Sequence, residues 1–112
     1  MAELDPATLP LVANHDNSFN MQALVDGVAQ DLSNKTMTAS IKYTGAGSPL
    51  ALTLASGLAI TEAATGKFKL SLTTAEIAAM TLDAAVYCYL TIWNADNSAW
   101  AWGKFPMVKT LG

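Results

Sequence analysis

The residues that could carry chemistry are few. His15 is the single histidine, and it lies beside Asp16. A Ser–His–Asp site would need this pair buried next to a nucleophile, whereas the polar run 14–18 is typical of a turn between strands. The single cysteine, Cys88, lies on the aliphatic side of a predicted strand. We therefore expect a small buried apolar residue there and not a reactive thiol.

Metal sites and acid–base sites are predicted to be absent. One histidine and one cysteine cannot supply the ligands of a transition-metal site. Asn94, Asp96 and Asn97 offer oxygens that calcium accepts, but a short Asx-rich loop between two strands explains them without an ion. Most of the nine acidic residues fall in predicted turns, and no glycine-rich loop precedes a helix. We expect no enzymatic activity, no cofactor and no metal.

The aromatic residues are the most informative feature of the chain. Six of the nine lie in one predicted hairpin near the C-terminus. In its first strand, 85–93, even positions are aliphatic and most odd positions are aromatic. If the hairpin closes symmetrically, Trp93 pairs with Trp100 and Thr91 with Trp102. The hairpin is then apolar on both faces, and its candidate interface residues are Tyr87, Tyr89, Trp93, Trp100 and Trp102.

In a two-layer β-fold, one face of such a hairpin meets the core and the other needs a different cover. The N-terminal arm, a neighbouring subunit or a ligand could supply it. Tryptophan and tyrosine are favoured anchors at protein interfaces, and sugars also stack on exposed aromatic rings. From the residues alone these alternatives stay open.

Alternation of apolar and polar residues dominates the rest of the chain. It is clearest over 36–43, and it recurs over 18–25, 50–54 and 67–72. Turn residues such as Asp26-Gly27 and the loop 45–49 separate these runs at intervals of about 8–12 residues, which is typical of a sandwich or barrel. We predict an all-β fold, an antiparallel β-sandwich of about seven or eight strands.

Two segments depart from this alternation. Thr73 and Glu76 form a capping-box pattern, so a short bridging helix is predicted near 73–80. Residues 1–8 contain Pro6 and show no periodicity, and they are predicted to be an N-terminal arm, with a first edge strand at 9–13. The length of 112 residues fits one domain, spanning 9–112.

Charge and targeting signals limit the function classes. Only 13% of residues are charged, against about 25% in ordinary proteins, which suits either a position inside an assembly or a neutral free domain. Scattered lysines and a net charge of −3 predict no nucleic-acid binding. No signal peptide and no apolar run of about 18 residues are evident, so we expect no membrane segment.

The order of several motifs resembles the small immunoglobulin-like domains of tailed-bacteriophage structural proteins, of the type found at the N-terminus of baseplate upper proteins. The matching stretches are D-G-V-A-Q-D-L-S at 26–33, the alternating strand 36–43, L-T-L-A-S-G-L-A-I at 52–60, G-K-F-K-L-S-L-T-T-A-E at 66–76, Y-C-Y-L at 87–90 and G-K-F-P-M-V at 103–108.

This resemblance implies an immunoglobulin-like fold and a virion structural protein. It would be a docking or adaptor module of a tail, baseplate or fibre, assembled in the cytoplasm of the bacterial host. Its expected partners are other virion proteins and further copies of itself. No catalytic residue carries over from the family. The alternative function is a carbohydrate- or receptor-binding module that uses the aromatic hairpin.

Overall fold

The computed structural model describes residues 2–43, 48–80 and 86–110. Residues 45–47 of the predicted loop and Ala85 of the predicted aromatic strand lie outside this part. The described chain is mostly β-strand, as predicted, with one short helix and one 3-10 turn. The strands are β1 (Ala2–Glu3), β2 (Leu9–Val12), β3 (Asn17–Gln22), β4 (Leu24–Val25), β5 (Val28–Ala29), β6 (Thr36–Lys42), β7 (Leu50–Thr53), β8 (Leu58–Glu62), β9 (Lys67–Leu72), β10 (Val86–Trp93) and β11 (Ala99–Thr110).

Two main sheets carry the fold. The larger has the order β1-β11-β10-β6-β7, and β2 pairs with a later part of β11. The smaller has the order β3-β9-β8, and β4 and β5 form a separate small hairpin. The pairs β10–β11, β10–β6, β6–β7, β3–β9 and β8–β9 are antiparallel. The order places β10 at the centre of the larger sheet and β9 at the centre of the smaller one.

One core contains the buried side chains of both sheets. Along β6 the predicted alternation holds, with Met37, Ala39 and Ile41 buried between exposed or half-buried neighbours. Along β9 the buried residues are Phe68, Leu70 and Leu72. The sequence pattern of period two therefore identified the faces of these strands correctly.

The predicted strand over 18–25 is interrupted in the structure. β3 ends at Gln22, and Leu24–Val25 starts the β4–β5 hairpin. Asp26 and Gly27 join these two strands with φ values of 52° and 78°, the left-handed geometry that a tight hairpin turn needs. Leu54 is also exposed, because β7 ends one residue before it.

The predicted helix lies where the capping box placed it. Helix α1 spans Thr74–Ala78, with the Thr73 hydroxyl accepting from the Glu76 N–H and the Glu76 carboxylate accepting from the Thr73 N–H. These bonds satisfy main-chain donors that a helix start leaves without partners. The helix connects the smaller sheet to the chain that precedes β10, which agrees with its predicted bridging role.

The predicted N-terminal arm is in large part integrated into the fold. β1 pairs in parallel with the start of β11, and Leu4 is buried in the core. The carboxylate of Asp5 accepts hydrogen bonds from the N–H groups of Asp26 and Gly27 at 2.9 and 2.8 Å. β2 then pairs in parallel with the end of β11. Parallel pairing between distant segments leaves no local sequence signal, which is why residues 2–5 looked unstructured.

Candidate functional site

The two faces of β10 differ in chemistry. Val86, Cys88, Leu90 and Ile92 are buried in the core, while the residues between them are half-buried on the outer face. This strand therefore presents its aromatic side chains away from the core, as the sequence predicted. Because β6 and β11 flank β10 on both sides, the outer face continues across three strands.

The register of the aromatic hairpin agrees with the prediction at one position and differs at another. Thr91 pairs with Trp102, as expected. Trp93, however, pairs with Ala99, because a β-bulge shifts the register between Ile92 and Trp93. The predicted pairing of Trp93 with Trp100 is therefore wrong.

Trp100 does not share the outer face with the other aromatic residues. It is the extra residue at the bulge, and its side chain packs against the core. The Lys35 ammonium lies 4.9 Å from the centre of its ring, a cation–π distance. An inserted residue at a bulge redirects the side chains around it, so Trp100 leaves the set of candidate interface residues.

We define the aromatic face as the outer-face cluster of β6, β10 and β11. Lys104 pairs with Tyr89 across β10–β11, and Lys42 pairs with Tyr87 across β10–β6. The members are Lys42, Tyr87, Tyr89, Trp93, Trp102 and Lys104.

Lysine ammonium groups lie against the tyrosine rings of the aromatic face. The Lys104 Nζ is 4.3 Å from the ring centre of Tyr87 and 5.7 Å from that of Tyr89. The Lys42 Nζ is 5.0 Å from the ring centre of Tyr89. The two rings are 6.4 Å apart and tilted by 51°. Cation–π contacts hold the lysine chains in place and concentrate positive charge here.

The remaining aromatic side chains of the face lie towards the other end of the strands. The Trp93 indole N–H donates to the Thr38 hydroxyl of β6 at 2.9 Å, which fixes the ring orientation. Trp102 is half-buried and has Glu3 of β1 beside it. The described members of this face include no acidic residue, and Glu3 of β1 lies at its margin. The centre of the face is therefore cationic in a protein with a net charge of −3.

The N-terminal arm does not cover the aromatic face in the described part of the chain. β1 extends the sheet at its edge, Leu4 enters the core, and Asp5 binds the β4–β5 turn. The arm is thus placed elsewhere, which leaves a partner protein or a ligand to cover this face.

The outer face of the smaller sheet has a different composition. Its exposed or half-buried positions carry polar, charged or small side chains and no aromatic ring among the described residues: Ser18, Asn20, Gln22, Ala59, Thr61, Lys67, Lys69 and Ser71. Only one of the two outer faces therefore has the amphipathic aromatic composition of protein interfaces.

The other residues considered for chemistry lie apart from the aromatic face. His15 is exposed in the turn before β3. Cys88 is buried in the core, where desolvation raises the pKa of its thiol to about 12, as the sequence reading expected of a structural cysteine. The Asp96 carboxylate accepts hydrogen bonds from the N–H and hydroxyl of Ser98 within the β10–β11 loop.

The described residues offer neither a metal-binding cluster nor a membrane-spanning helix. Among the described residues, no three His, Cys, Asp or Glu side chains lie close enough together to hold a metal ion. In the same part of the chain, no helix has the length and apolarity needed to cross a membrane.

Asp16 links the turn before β3 to helix α1, and this link predicts a pH effect. Its carboxylate accepts from the N–H and the hydroxyl of Thr74 at 2.7 and 2.9 Å, and these bonds hold its pKa below the usual 3.8. A carboxyl with a lowered pKa in the folded state stabilises the fold above its unfolded pKa, and this stabilisation is lost as the pH falls through the folded value.

Thermal unfolding should therefore show a fall in melting temperature as the pH drops below about 4. The Asp16→Asn variant has no carboxyl to protonate, so its melting temperature should fall less than that of the unmodified chain over the same interval. Melting curves from pH 2 to 6 by circular dichroism measure the difference. Parallel curves for the two proteins would contradict the role given to Asp16.

The two lysines of the aromatic face were missed by sequence reasoning. The predicted pairing of Thr91 with Trp102 already implied that Tyr89 faces Lys104, so this contact had a usable signal. The position of Lys42 had no such signal, because nothing local in the sequence indicates that β6 is the second neighbour of β10.

The chain was also compared with known proteins. No protein-family model matches it, and no curated protein matches it.

Proposed function

We propose that this chain is a structural protein of a bacteriophage virion, an immunoglobulin-like docking module of a tail, baseplate or fibre. It acts through protein–protein contacts and has no catalytic role. Its place of action is the virion, after assembly in the cytoplasm of the bacterial host. The observation that carries the proposal is the aromatic face, with lysine ammonium groups seated on the tyrosine rings.

The strand order supports the immunoglobulin-like part of the proposal. Immunoglobulin domains have one sheet with the order D-E-B and another that contains G-F-C, to which some members add C′. The order β8-β9-β3 corresponds to the first, and the order β11-β10-β6-β7 corresponds to the second with the added strand. β2 pairs in parallel with β11. In the immunoglobulin order this corresponds to the first strand, A, pairing with the last strand, G.

The composition of the aromatic face supports a protein as the partner. Aromatic side chains are enriched in the centres of protein interfaces, and a few of them supply most of the binding energy. The cationic centre favours a partner surface with carboxylates near apolar groups. A second copy of the same face would bring Lys42 and Lys104 against the same lysines, and its acidic residue, Glu3, lies only at the margin. A different virion protein with an acidic surface is therefore the better fit for this face.

The carbohydrate-binding alternative fits the same face less well. A sugar stacks on the flat side of an aromatic ring, and this position must be free. The ammonium groups of Lys42 and Lys104 already lie against the rings of Tyr87 and Tyr89. At these two rings a sugar would have to displace the ammonium groups, and the cation–π contacts would be lost.

The decisive experiment measures incorporation into particles. The double variant Lys42→Glu with Lys104→Glu reverses the charge of the aromatic face, and like charges opposed across an interface cost several kcal/mol. In purified particles of the phage that encodes the chain, we expect quantitative mass spectrometry to find at least about tenfold less of this variant than of the unmodified chain.

The matched control reverses two lysines on the other sheet. Lys67→Glu with Lys69→Glu makes the same change in net charge on the polar outer face, and we expect normal incorporation. Absence of the unmodified chain from the particles would refute the virion assignment. Equal incorporation of both double variants would refute the role of the aromatic face.

A further inference from the structure

The outer edge of β3 has main-chain groups without partners in the described part of the chain. The Ala23 N–H donates to the Gly66 carbonyl, which continues the register of β3 with β9. Hydrogen-bonded pairs alternate along an antiparallel ladder, so Phe19 and Met21 bond to β9. The N–H and C=O groups of Ser18, Asn20 and Gln22 therefore point away from the sheet. We call these groups the open edge.

An independent hydrogen bond on the other side of β9 gives the same assignment of inward-bonded and outward-facing residues of β3. The Ser71 N–H donates to the Gly57 carbonyl, in line with the register of β8 and β9. Odd-numbered residues of β9 thus bond to β8, which leaves the even-numbered ones, including Phe68 and Leu70, to bond to β3. The two ladders agree on which groups of β3 face outward.

The open edge lacks the features that keep sheet edges from pairing. Proteins protect such edges with charges, proline, bulges or very short strands. Among the described edge strands, β1 has two residues, β2 contains Pro10, β7 has four residues, and β8 has a bulge before Glu62. β3 has six residues, no charge, no proline and an unbroken register.

An apolar groove runs beside the open edge. Phe19 and Met21 are half-buried and pack against the core. Together with Leu9, Leu24 and Phe105 they line a groove between β3 and the arm. Their partial exposure follows from the position of β2, which pairs with β11 and leaves the place beside β3 empty in the described chain.

We propose that the open edge pairs with the open edge of a second copy of this chain, antiparallel and centred on Asn20. Pairing about this residue sets Ser18 against Gln22 of the second copy and Asn20 against its own equivalent. These hydrogen-bonded pairs would form about six main-chain bonds. Phe19 lies opposite Met21 of the second copy, an aromatic–sulfur contact. The strand is thus self-complementary on both faces, as a two-fold interface requires.

Charge does not oppose this pairing. The six residues of β3 are neutral, and the nearest lysines, Lys67 and Lys69, belong to the next strand. In the joined sheet, two β3 strands separate Lys69 from its equivalent by about 14 Å at the spacing of neighbouring strands. This exceeds the screening length of about 8–10 Å at physiological ionic strength. The dimer uses a surface apart from the aromatic face, so it stands or falls independently of the proposed function.

The test uses two opposite charges at the symmetry axis. Asn20→Asp sets two carboxylates against each other in the dimer, while within one copy the new carboxylate faces Lys69. Asn20→Lys sets two ammonium groups against each other. We expect sedimentation equilibrium at submillimolar concentration to show a dimer for the unmodified chain, a monomer for each variant, and a dimer again for the equimolar mixture of the variants.

The matched control is Ala59→Asp, which places the same carboxylate opposite Lys69 from the other edge of the sheet. It should remain dimeric. If Asn20→Lys fails to fold, Asn20→Pro removes the outward N–H without affecting the ladder to β9 and should be monomeric. The proposal would be overturned if the unmodified chain were a monomer or if either Asn20 variant alone were a dimer. It would also be overturned if the equimolar mixture of Asn20→Asp and Asn20→Lys stayed monomeric.

Discussion

Replacing Phe68 with alanine is expected to lower the free energy of unfolding by about 3–5 kcal/mol. Phe68 lies at the centre of the smaller sheet, opposite Met21 on one side and Ile60 on the other. It is 1% exposed and among the largest fully buried side chains of the described chain. Removing the ring leaves a cavity between the sheets that tightly packed neighbours fill only in part.

Such a loss is a large fraction of the roughly 5–15 kcal/mol that stabilises most domains. Denaturant unfolding measures it directly, and the melting temperature should fall by roughly 10–25 °C. Lys69→Ala, one position along the strand on the exposed face, serves as the control and should stay within about 0.5 kcal/mol of the unmodified chain. A loss below about 1 kcal/mol for Phe68→Ala would contradict the position given to this ring.

Trp100→Ala should mainly lower the stability of the fold, whereas Tyr89→Ala should mainly reduce incorporation into particles. Trp100 packs against the core beside Lys35, so its removal should lower the free energy of unfolding by about 2–3 kcal/mol and leave incorporation into particles near normal. Tyr89 lies on the aromatic face, so its removal should cost about 1 kcal/mol or less in stability and reduce incorporation about tenfold or more.

Denaturant unfolding and quantitative mass spectrometry of particles, applied to both variants, separate these effects. The unfolding experiment also shows that each variant is folded before its incorporation is judged. If Trp100→Ala were stable and absent from particles, the bulge-based placement of Trp100 would be wrong. If Tyr89→Ala were incorporated normally, the hot spot of the aromatic face would have to lie elsewhere.

Features with a local cause were predictable from the sequence. The alternation of Met37, Ala39 and Ile41 identified the buried face of β6, because side chains alternate along a strand whatever it pairs with. The capping pair Thr73 and Glu76 located helix α1, since both hydrogen bonds form within four residues. The same reasoning identified the aromatic strand β10 and its two faces.

Features set by tertiary pairing were not predictable. The bulge beside Trp93 depends on how the β10–β11 loop closes, and one inserted residue was enough to pack the half-buried Trp100 against the core. The parallel pairing of Ala2 with Ala101 joins segments almost a chain length apart. The contact between Lys42 and Tyr89 requires knowing that β6 adjoins β10. No pattern within a single segment contains this information.

The parallel course of the N-terminal strands along β11 has a mechanical consequence. Ala2 lies beside Ala101 at one end of β11, and Val12 lies beside Thr110 at the other. A force that pulls Ala2 and Thr110 apart acts along the strands and loads the hydrogen bonds of β1 and β2 in shear, many at once. A hairpin pulled open at its ends breaks such bonds one after another. This geometry resists stretching along the direction of β11.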